Sequence, residues 1–582
     1  MTGPTIPVAK WADEQKYRQE GEEYGQKVAR VAQALSDNQD HFNNFRDILK
    51  EQRFLPGGRV QAAAGSYRRV TAFNCFVMKD VPDSMAGIMD VAKEAAITMQ
   101  LGGGVGYDFS GVRPRGARIK SIGSQASGPV SFMGIMDATC KTIASAGHRR
   151  GAQMGCLRVD HPDIMEFIAA KANHDQLTQF NISVLVTDAF MEAVKTDSDF
   201  DLVFEGRVFD TVRARHLWET ILRNTWDWAE PGVIFIDRVN QMNNLWYCEN
   251  ISATNPCGEQ PLPAYGACLL GSFNLTKYVY PEHSGANTGE FNFNWSQLEH
   301  DIPHVVRAMD NVIDETTYPL EEQEQEAKNK RRMGLGVTGL GNVLGALGIR
   351  YGSQEAQDFT KKVLRLIANR CYMASAALAT EKGSFPLFNK ESYLRSKFVQ
   401  KLDPDVKETI AKVGIRNSHL TSIAPTGTIS LTANNVSSGI EPVFSLSYDR
   451  TIQTFDGPMV EKVEDYAYRE WGIECDTADS ISVEDHVGML NAAQEWVDSA
   501  CSKTCNVGDG VTWEQFKDVY LQAYEGGAKG CTTFRASGKR FGILNASASE
   551  DVVDEPEQAP DETVVEGGAC YIDPETGIRS CE

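Results

Sequence analysis

From Phe54 onward, short apolar runs broken by glycine and proline alternate with longer helical stretches. This alternation limits the fold more than any other feature of the chain, because strands that alternate with helices form a mainly parallel sheet covered by helices. The sequence therefore predicts an α/β fold. Its 582 residues suffice for one large domain with appendages, and they show no internal repeat.

The two ends of the chain differ in character from this central part. Residues 11–50 are charged and helical in pattern, with Val28, Val31 and Leu35 on one apolar stripe. We therefore predict an N-terminal helical segment at 1–53 and the main domain at 54–548. Within that domain, a long helix is predicted over Gln354–Lys382, because Gly383 supplies a stop signal.

The remaining segment, 549–582, is predicted to be a flexible acidic tail. From Glu550 it has eleven acidic residues and one arginine, with several prolines and few large apolar side chains. Such a segment cannot bury enough apolar surface to fold by itself. It nevertheless carries two cysteines, Cys570 and Cys581.

Charge and hydropathy exclude some functional classes. A net charge of -22 argues against a broad nucleic-acid surface, although not against local phosphate pockets. No apolar run reaches the length of a membrane span, and the N-terminus lacks a signal-peptide core. We expect a cytoplasmic protein with no membrane partner.

Thirteen cysteines are many for such a chain, but no CxxC pair and no Cys/His spacing typical of zinc is present. We therefore expect no metal site. In a reducing compartment, cysteines are more often buried or catalytic than joined in structural disulfides. We expect core packing for Cys501 and Cys505, at positions i and i+4 of a predicted helix, and also for Cys140, Cys156, Cys248, Cys371 and Cys475.

The pentapeptide at 255–259 combines three reactive residue types. Asn255, Cys257 and Glu259 occupy alternate positions, and in an extended segment alternate side chains share one face. Pro256 disfavours a helix, and Gly258 lets the backbone approach a ligand. An amide, a sulfur and a general base could then meet one small substrate. A Pro-Gly turn with a buried cysteine is the alternative.

Three glycine-containing segments suggest binding of phosphate or of a base. Residues 424–430 follow the apolar run 420–423 and, if they open a helix, would present N–H groups and hydroxyls to an anion. They are not a Walker motif, because they contain no Gly-Lys pair. An ordinary capped turn is the alternative. Residues 102–106 and 147–151, the latter with Arg149 and Arg150, suit recognition of a phosphate or a base. A solvated basic turn is the alternative for the arginine-containing loop.

Residues 334–339 match the dinucleotide fingerprint GxGxxG. They follow a basic stretch, 328–332, instead of an apolar strand, so we do not predict a nicotinamide site. We assign these glycines to close helix packing.

Over residues 54–535 the chain resembles the catalytic subunit of ribonucleotide reductase. The resemblance rests on many motifs in the family's order: FLPGGR at 54–59, NCFV at 74–77, GGGVGYD at 102–108, SGPVSFM at 127–133, RRGAQM at 149–154, NPCGEQPL at 255–262, ACLLGSFNL at 267–275 and PTGTIS at 425–430.

The resemblance implies a ten-stranded α/β barrel with the reactive thiol on a central finger loop. It implies that Cys257 carries a transient thiyl radical that abstracts the substrate's 3′-hydrogen, that Glu259 is the general base on the 3′-hydroxyl, and that Asn255 hydrogen-bonds the ribose hydroxyls. Cys75 and Cys268 would deliver two electrons at C2′ and end as a disulfide. These residue types suit the chemistry, because a carboxylate accepts a proton and a dithiol is a two-electron reductant.

The resemblance also assigns substrate contacts and a route for re-reduction. The implied substrate-binding residues are Asn74, Gly103, Pro425, Thr426, Gly427, Thr428 and Ile429. Cys570 and Cys581 would re-reduce the buried disulfide and pass the oxidation to a thioredoxin- or glutaredoxin-like protein. A flexible leash gives a high effective concentration without fixed docking.

The source of the radical is inferred by elimination within the family. Members that use a separate metal-loaded subunit carry a stacked tyrosine pair, whereas residues 529–535 read KGCTTFR here. The C-terminal Arg-Val-Cys-Gly-Tyr-like segment of the glycyl-radical type is absent from the sequence too. The chain therefore resembles the dimeric, adenosylcobalamin-dependent class II type, in which the cofactor oxidises Cys257 directly. That class does not use the Asp-x-His-x-x-Gly cobalamin motif, so its absence does not discriminate.

Two alternatives remain open at this point. One is a catalytic subunit that needs a separate metal-loaded radical-generating subunit. The other is a non-catalytic nucleotide-binding or thiol-redox protein. The resemblance to the dimeric branch favours ribonucleoside diphosphates as substrates.

The family reads a deoxynucleotide or ATP effector at a homodimer interface. By position, Asp83 would bind the effector ribose and Arg113 its triphosphate. The loop 145–153, which includes Arg149 and Arg150, would couple the effector's identity to the substrate base.

We predict control of substrate specificity by effectors without an off-switch by dATP, because the short N-terminal segment shows no counterpart of the extra ATP-binding cone. Titration of dATP in an assay of deoxynucleotide formation should change which ribonucleotide is reduced. Complete inhibition at effector concentrations would contradict this prediction.

Overall fold

The computed structural model describes residues 3–120, 123–144, 152–172, 176–281, 291–454, 457–508, 510–535, 570–572 and 579–581. The predictions for Arg149, Arg150 and most of the acidic tail lie outside these residues.

The α-helices of the described residues are, in chain order, α1 Pro7–Tyr17, α2 Tyr24–Ala34, α3 Gln39–Lys50, α4 Gly58–Ala63, α5 Met85–Gln100, α6 Pro129–Ala144, α7 Ile164–Ala169, α8 Asp188–Thr196, α9 Ala214–Trp228, α10 Ile236–Gln241, α11 Trp295–Glu315, α12 Glu321–Lys330, α13 Leu340–Ala346, α14 Gln354–Lys382, α15 Lys390–Leu394, α16 Lys397–Lys401, α17 Pro404–Val413, α18 Gly427–Thr432, α19 Tyr466–Trp471, α20 Val483–Gln494 and α21 Trp513–Glu525. Two 3₁₀ helices span Leu275–Tyr278 and Ala478–Ser480.

The strands are, in the same order, β1 Phe54–Pro56, β2 Cys75–Val77, β3 Gly104–Asp108, β4 Arg118–Ile119, β5 Ser124–Gln125, β6 Gln153–Arg158, β7 Phe180–Val186, β8 Asp199–Phe204, β9 Arg207–Arg213, β10 Gly232–Phe235, β11 Ala253–Thr254, β12 Pro261–Leu262, β13 Ala267–Cys268, β14 Leu270–Asn274, β15 Val279–Pro281, β16 Phe291–Phe293, β17 Gly334–Thr338, β18 Ser447–Thr454, β19 Gly457–Glu464, β20 Thr504–Asn506, β21 Gly530–Phe534, β22 Cys570–Ile572 and β23 Arg579–Cys581.

The N-terminal segment forms the three helices α1 to α3, as its helical pattern predicts. Val28, Val31 and Leu35 are all buried, so the predicted apolar stripe faces the core. Asn38 caps α3, because its side chain accepts a hydrogen bond from the amide of His41. Helix α1 packs against α18, which places the N-terminal segment over the loop that opens α18.

The long predicted helix is confirmed as α14, with the predicted bounds. Ser353 caps its start by accepting a hydrogen bond from the amide of Ala356. Gly383 ends it at a φ of 77°, which a side chain disfavours. Helix α14 packs against α11 and α20 in the core.

The central sheet confirms the α/β prediction. Eight strands run in the order β13-β2-β3-β6-β7-β10-β21-β20, and the five from β2 to β10 are mutually parallel. Strand β21 is antiparallel to β10 and parallel to β20. Every residue of β7 is buried, as expected for a parallel strand covered on both faces.

A second sheet, β1-β14-β17, lies beside the first. Strand β14 is parallel to β17 and antiparallel to β1. Two isolated parallel bridges, Leu335 to Thr421 and Ile423 to Cys501, extend this sheet through segment 420–423 toward the strand region that contains β20. The two sheets are therefore linked through the segment that precedes the predicted phosphate loop.

The structure corrects the interpretation of residues 334–339. Residues 334–338 form strand β17, where Gly334 and Gly336 permit close strand packing instead of close helix packing, and Gly339 precedes α13. A methyl group on Gly334 or Gly336 would overlap the side chain of Gln260 or the carbonyl oxygen of Ser422. The basic stretch before them masked the strand.

Two predictions about cysteines are also wrong. Cys501 and Cys505 do not lie on a helix, since Cys501 makes a parallel bridge and Cys505 belongs to β20. Cys248 is exposed, not packed in the core. Of the other cysteines expected in the core, Cys140, Cys156, Cys371, Cys475 and Cys505 are buried, and Cys501 is partly buried.

The helices in the described ranges include none that is both long and apolar enough to cross a membrane.

Replacement of Gly106 by alanine should destabilise the protein, because a methyl group there would overlap the carbonyl oxygen of Thr254 where β3 passes β11. Overpacking of this kind costs roughly 1–3 kcal/mol, measurable as a lower denaturation midpoint in urea. Gly25→Ala is the matched control, because nothing lies within 4 Å of a methyl group there. Equal stability of the two variants would contradict the prediction.

Candidate active site

Residues 255–259 form a tight turn between the short antiparallel strands β11 and β12. The amide of Gly258 donates to the carbonyl of Asn255 at 3.0 Å, and Gly258 has a φ of 83°. Asparagine first, proline second and glycine fourth is a favoured β-turn sequence. The prediction of an extended segment with three side chains on one face is therefore wrong, because the turn preferences of Pro256 and Gly258 prevail.

The turn is held by hydrogen bonds from three other parts of the fold. The side chain of Asn181 on β7 donates to the carbonyl of Pro256 at 3.0 Å. The amide of Ala500 and the hydroxyl of Ser422 both donate to the carbonyl of Glu259, each at 2.9 Å. Since buried carbonyls are costly to leave unpaired, these donors fix the backbone of the turn.

Asn255 stabilises the turn from within. Its side-chain oxygen accepts a hydrogen bond from the main-chain amide of Gln260 at 3.0 Å. The main-chain amide of Asn255 donates to the carbonyl of Gln260 at 3.2 Å. The residue is fully buried, and within the described part of the chain its side-chain nitrogen has no hydrogen-bond partner. That nitrogen is a buried donor, and Asn255 is not among the residues that line the two cavities described next.

A cavity of about 1520 Å³ lies beside the turn, and we call it the main cavity. Glu259, Cys75 and Asn74 line it together with residues from α1, α4, α5 and α18. Of the predicted substrate contacts, Pro425, Thr426, Thr428 and Ile429 also line it. Gly103 and Gly427 lie next in sequence to the lining residues Gly102 and Thr426.

Cys257 lines a different and smaller space. This small cavity, of about 30 Å³, is shared by Cys257 with Cys501, Lys529 and Cys531. The sulfur of Cys257 is in a disulfide, so any thiol chemistry at this position begins with its reduction. The structure thus places Glu259 and Cys257 on the walls of two neighbouring cavities instead of one shared surface.

Cys75 and Cys268 lie directly opposite each other on the antiparallel strands β2 and β13. Both are buried free thiols. Burial raises the pKa of Cys268 well above the ordinary value, and the hydrogen bond with Cys75 and the charge of Glu259 add to this. The arrangement is that of a dithiol beside a carboxylate, which can form a disulfide with little movement.

The predicted phosphate loop opens a helix, as expected, because α18 begins at Gly427. Thr426 precedes it with a φ of 57°. Its hydroxyl accepts a hydrogen bond from the amide of Gly439 at 2.7 Å and lies 3.0 Å from the hydroxyl of Thr338 on β17. The loop is therefore anchored to the second sheet while it faces the main cavity.

The predicted effector residues Asp83 and Arg113 form an ion pair. The guanidinium of Arg113 approaches the carboxylate of Asp83 to 2.7 Å, and this hydrogen bond raises the pKa of Arg113. Both side chains are partly exposed. They lie near α5 and α6, which pack together and expose Met85, Met89 and Ile135.

The described part of the tail is a strand pair in which Cys570 lies directly opposite Cys581. Strand β23 packs against α18, at the main cavity. Only the backbone is described here, so the sulfur positions of the two cysteines lie outside the description.

Sequence reasoning missed Ser272. It is buried on β14, it lines the main cavity, and its hydroxyl has no hydrogen-bond partner among the described residues. In the described ranges, the structure groups no three His, Cys, Asp or Glu side chains as a metal site.

Comparisons with known proteins show which family the chain is similar to. Residues 73–534 match the family model of the ribonucleotide reductase barrel domain. The chain is 35% identical over 541 residues to the vitamin B12-dependent ribonucleoside-diphosphate reductase of Thermoplasma acidophilum, covering 88% of this chain and 67% of that protein. It is 33% identical over 600 residues to the protein of the same name from Mycobacterium tuberculosis, covering 96% and 81%. It is 27% identical over 618 residues to the vitamin B12-dependent ribonucleotide reductase of Streptomyces avermitilis, covering 92% and 63%.

Mild oxidation of the reduced protein should join Cys75 to Cys268, because their strands place them opposite each other. Mass spectrometry of a digest should find the cross-linked peptides in the wild type and not in the Cys268→Ser variant. Cys371→Ser is the control, because it replaces another buried free thiol outside the cavity lining and should leave the cross-link intact. Failure of the wild type to form the cross-link would contradict the pairing.

Proposed function

This chain belongs to the ribonucleotide reductase family, and we propose that it reduces ribonucleoside diphosphates to 2′-deoxyribonucleotides, with adenosylcobalamin as the radical source, for DNA synthesis. The observation that carries this proposal is the buried Cys75 and Cys268 dithiol beside Glu259 at the main cavity. A two-electron reductant and a general base at one cavity are what the reaction needs. The relatives named above as vitamin B12-dependent reductases support the choice of cofactor.

Cys257 acts on the substrate first. In its reduced state it loses a hydrogen atom to become a thiyl radical, which then takes the 3′-hydrogen of the ribose. Glu259 accepts the proton of the 3′-hydroxyl, and the side-chain nitrogen of Asn255 donates a hydrogen bond to a ribose hydroxyl. Their position on one short turn supports their joint action, although Glu259 and Cys257 line neighbouring cavities and Asn255 lines neither.

Cys75 and Cys268 complete the reduction. The 2′-hydroxyl leaves as water after it gains a proton, and the two thiols supply two electrons and two protons as they become a disulfide. The 3′-hydrogen then returns from Cys257 to the sugar, which regenerates the thiyl radical. The balance is one ribonucleotide and two thiols giving one deoxyribonucleotide, one disulfide and one water.

The main cavity fits a large cofactor in addition to a nucleotide. Its volume of about 1520 Å³ exceeds the roughly 300–1,000 Å³ of ordinary small-molecule sites. Trp11, Tyr67 and Gln100 line it and would hold the cofactor through apolar contacts and an amide group. When bound, adenosylcobalamin supplies the radical that removes the hydrogen atom from the Cys257 sulfur.

The substrate's diphosphate is assigned to the loop that opens α18. Thr426 and Thr428 line the main cavity where α18 begins, and main-chain N–H groups at a helix start suit an anion. Asn74 lines the same cavity, and its side-chain oxygen, which has no partner among the described residues, would accept a hydrogen bond from a ribose hydroxyl. Gly103 and Gly427 keep the backbone near the substrate. Pro425 and Ile429 complete the assigned set.

We assign the two linked sheets to a ten-stranded α/β barrel spanning the domain at 54–548. One half would be the five parallel strands from β2 to β10. The other half would comprise five members: β14, β17, segment 420–423, the strand region that contains β20, and β21. Parallel pairing and isolated parallel bridges link each of these members to the next. The antiparallel pairing of β10 with β21 supports a junction between the halves, with the 255–259 turn as the central finger.

Cys570 and Cys581 are assigned to the re-reduction of the buried disulfide by thiol exchange. Their direct opposition on β22 and β23, and the packing of β23 on α18, support this role. A thioredoxin- or glutaredoxin-like protein would then restore the tail thiols.

The exposed apolar side chains of α5 and α6 support a homodimer through these helices. Asp83 and Arg113, close to that surface, are assigned to a deoxynucleotide or ATP effector. Their mutual ion pair implies that effector binding exchanges this contact for contacts to the ribose and the triphosphate.

Purified chain with adenosylcobalamin, a dithiol and a ribonucleoside diphosphate should form the deoxynucleotide without any other protein. Cys257→Ser should abolish turnover while leaving substrate binding intact, and Glu259→Gln should lower kcat roughly 10²- to 10⁴-fold, as loss of a general base does. Cys156→Ser is the control, because Cys156 is a buried free thiol outside both cavity linings. Chromatographic product analysis and ligand-binding titration provide the two readouts.

Two outcomes would overturn this assignment. Activity that appears only when a metalloprotein partner is added would favour a separate radical-generating subunit. Binding of nucleotides without turnover under any of these conditions would favour a non-catalytic nucleotide-binding or thiol-redox protein.

A further inference from the structure

Lys529 is a buried lysine whose ammonium group lies against segment 498–500. Its Nζ donates to the main-chain carbonyls of Asp498 at 2.5 Å and Ser499 at 2.6 Å. The residue is only 4% exposed and also lines the small cavity with Cys257. Because a buried ammonium group is costly without acceptors, these two contacts tie the position of the lysine to that of the segment.

Ala500, which follows Ser499 in the chain, links two parts of the active site. Its amide donates to the carbonyl of Glu259 at 2.9 Å, and its carbonyl accepts from the amide of Ile423 at 3.1 Å. Ile423 leads directly into the phosphate loop. The segment that Lys529 contacts therefore supports the general base and adjoins the substrate anchor.

We propose that Lys529 is a positioning residue for the reaction, whose ammonium group fixes segment 498–500 and, through Ala500, holds Glu259 in place. What Glu259 does chemically rests on the proposed function, whereas the mechanical link from Lys529 to Glu259 does not. Lys529 touches neither substrate nor cofactor in this role.

The link depends on the charge of the lysine. Burial lowers the pKa of Lys529 to about 8, the charges of Asp498 and Cys501 oppose this, and Lys401 adds to it. The other titratable groups around it are His419 on the neighbouring segment and those across the small cavity, Cys257, Cys531 and Lys503. Above about pH 8 the neutral amine loses one donor and its charge-assisted hydrogen bonds, so the hold on segment 498–500 weakens as the pH rises.

Loss of the contacts between Lys529 and segment 498–500 should change kcat more than KM. The phosphate loop keeps its own anchors, because Thr426 is held by Gly439 and Thr338 regardless of Lys529. The carbonyl of Glu259 accepts hydrogen bonds from Ser422 and from Ala500, and Ala500 belongs to segment 498–500. A displaced segment 498–500 therefore misplaces the base while the substrate still binds.

Hydrogen exchange of the peptide containing the Ala500 amide tests the link without reference to activity. In the wild type, the protection of this amide, corrected for intrinsic exchange, should fall as the pH rises through about 8. In Lys529→Arg, whose guanidinium stays charged, protection should not fall over that range. Protection in the wild type that does not change with pH would overturn the proposal.

Kinetics provide the second arm. Lys529→Met should lower kcat about tenfold or more with KM for the ribonucleotide within about threefold, and Lys529→Arg should retain activity at alkaline pH. Lys407→Met is the matched control, because Lys407 is partly exposed and donates to the carbonyl of Gln400 at 3.0 Å, outside segment 498–500. It should leave both parameters unchanged.

Wild-type kcat and normal Ala500 protection in a folded Lys529→Met variant would refute the positioning role. If neither variant folds, the wild-type exchange profile alone decides. Loss of all turnover in the wild type, with the predicted exchange profile intact, would count against the proposed function and not against this link.

Discussion

The hydrogen bonds that fix the 255–259 turn are the constraint on which the rest of the site depends. The turn carries Asn255, Cys257 and Glu259, yet its own strands, β11 and β12, are only two residues long. Its backbone is positioned from outside, by β7 and by segments 420–423 and 498–500. Because each donor comes from a different part of the chain, the site forms only when both sheets are assembled.

Burial then determines what the site can do. Cys75 and Cys268 are enclosed on neighbouring strands, where burial raises the pKa of Cys268 and keeps it protonated, so it can give up a proton together with its electrons. A bulky reductant protein cannot reach a buried disulfide to reduce it. Strand β23 packs against α18, which lines the main cavity, and this position suits the re-reduction role that we propose for Cys570 and Cys581.

Local patterns predicted local structure well. The stop signal at Gly383 predicts the end of α14. The family motifs predict which loops line the main cavity. Pairing across the chain cannot be read from spacing. The spacing of Cys501 and Cys505 predicts a helix, whereas Cys505 lies on β20, which pairs in parallel with β21. The turn signal of Pro256 and Gly258 was present, but the alternate spacing of the reactive residues favoured an extended interpretation. Lys529 gave no local signal, because its acceptors are main-chain carbonyls from another segment.

The most direct test of the radical chemistry assigned to Cys257 is a competitive isotope experiment with a ribonucleoside diphosphate carrying deuterium at the 3′ carbon. The reduced protein, with adenosylcobalamin and a dithiol, should convert the unlabelled substrate faster, so the residual substrate becomes enriched in deuterium as turnover proceeds. Discrimination should vanish together with product in Cys257→Ser. Product formation with no discrimination against 3′-deuterium would contradict hydrogen abstraction by the Cys257 sulfur.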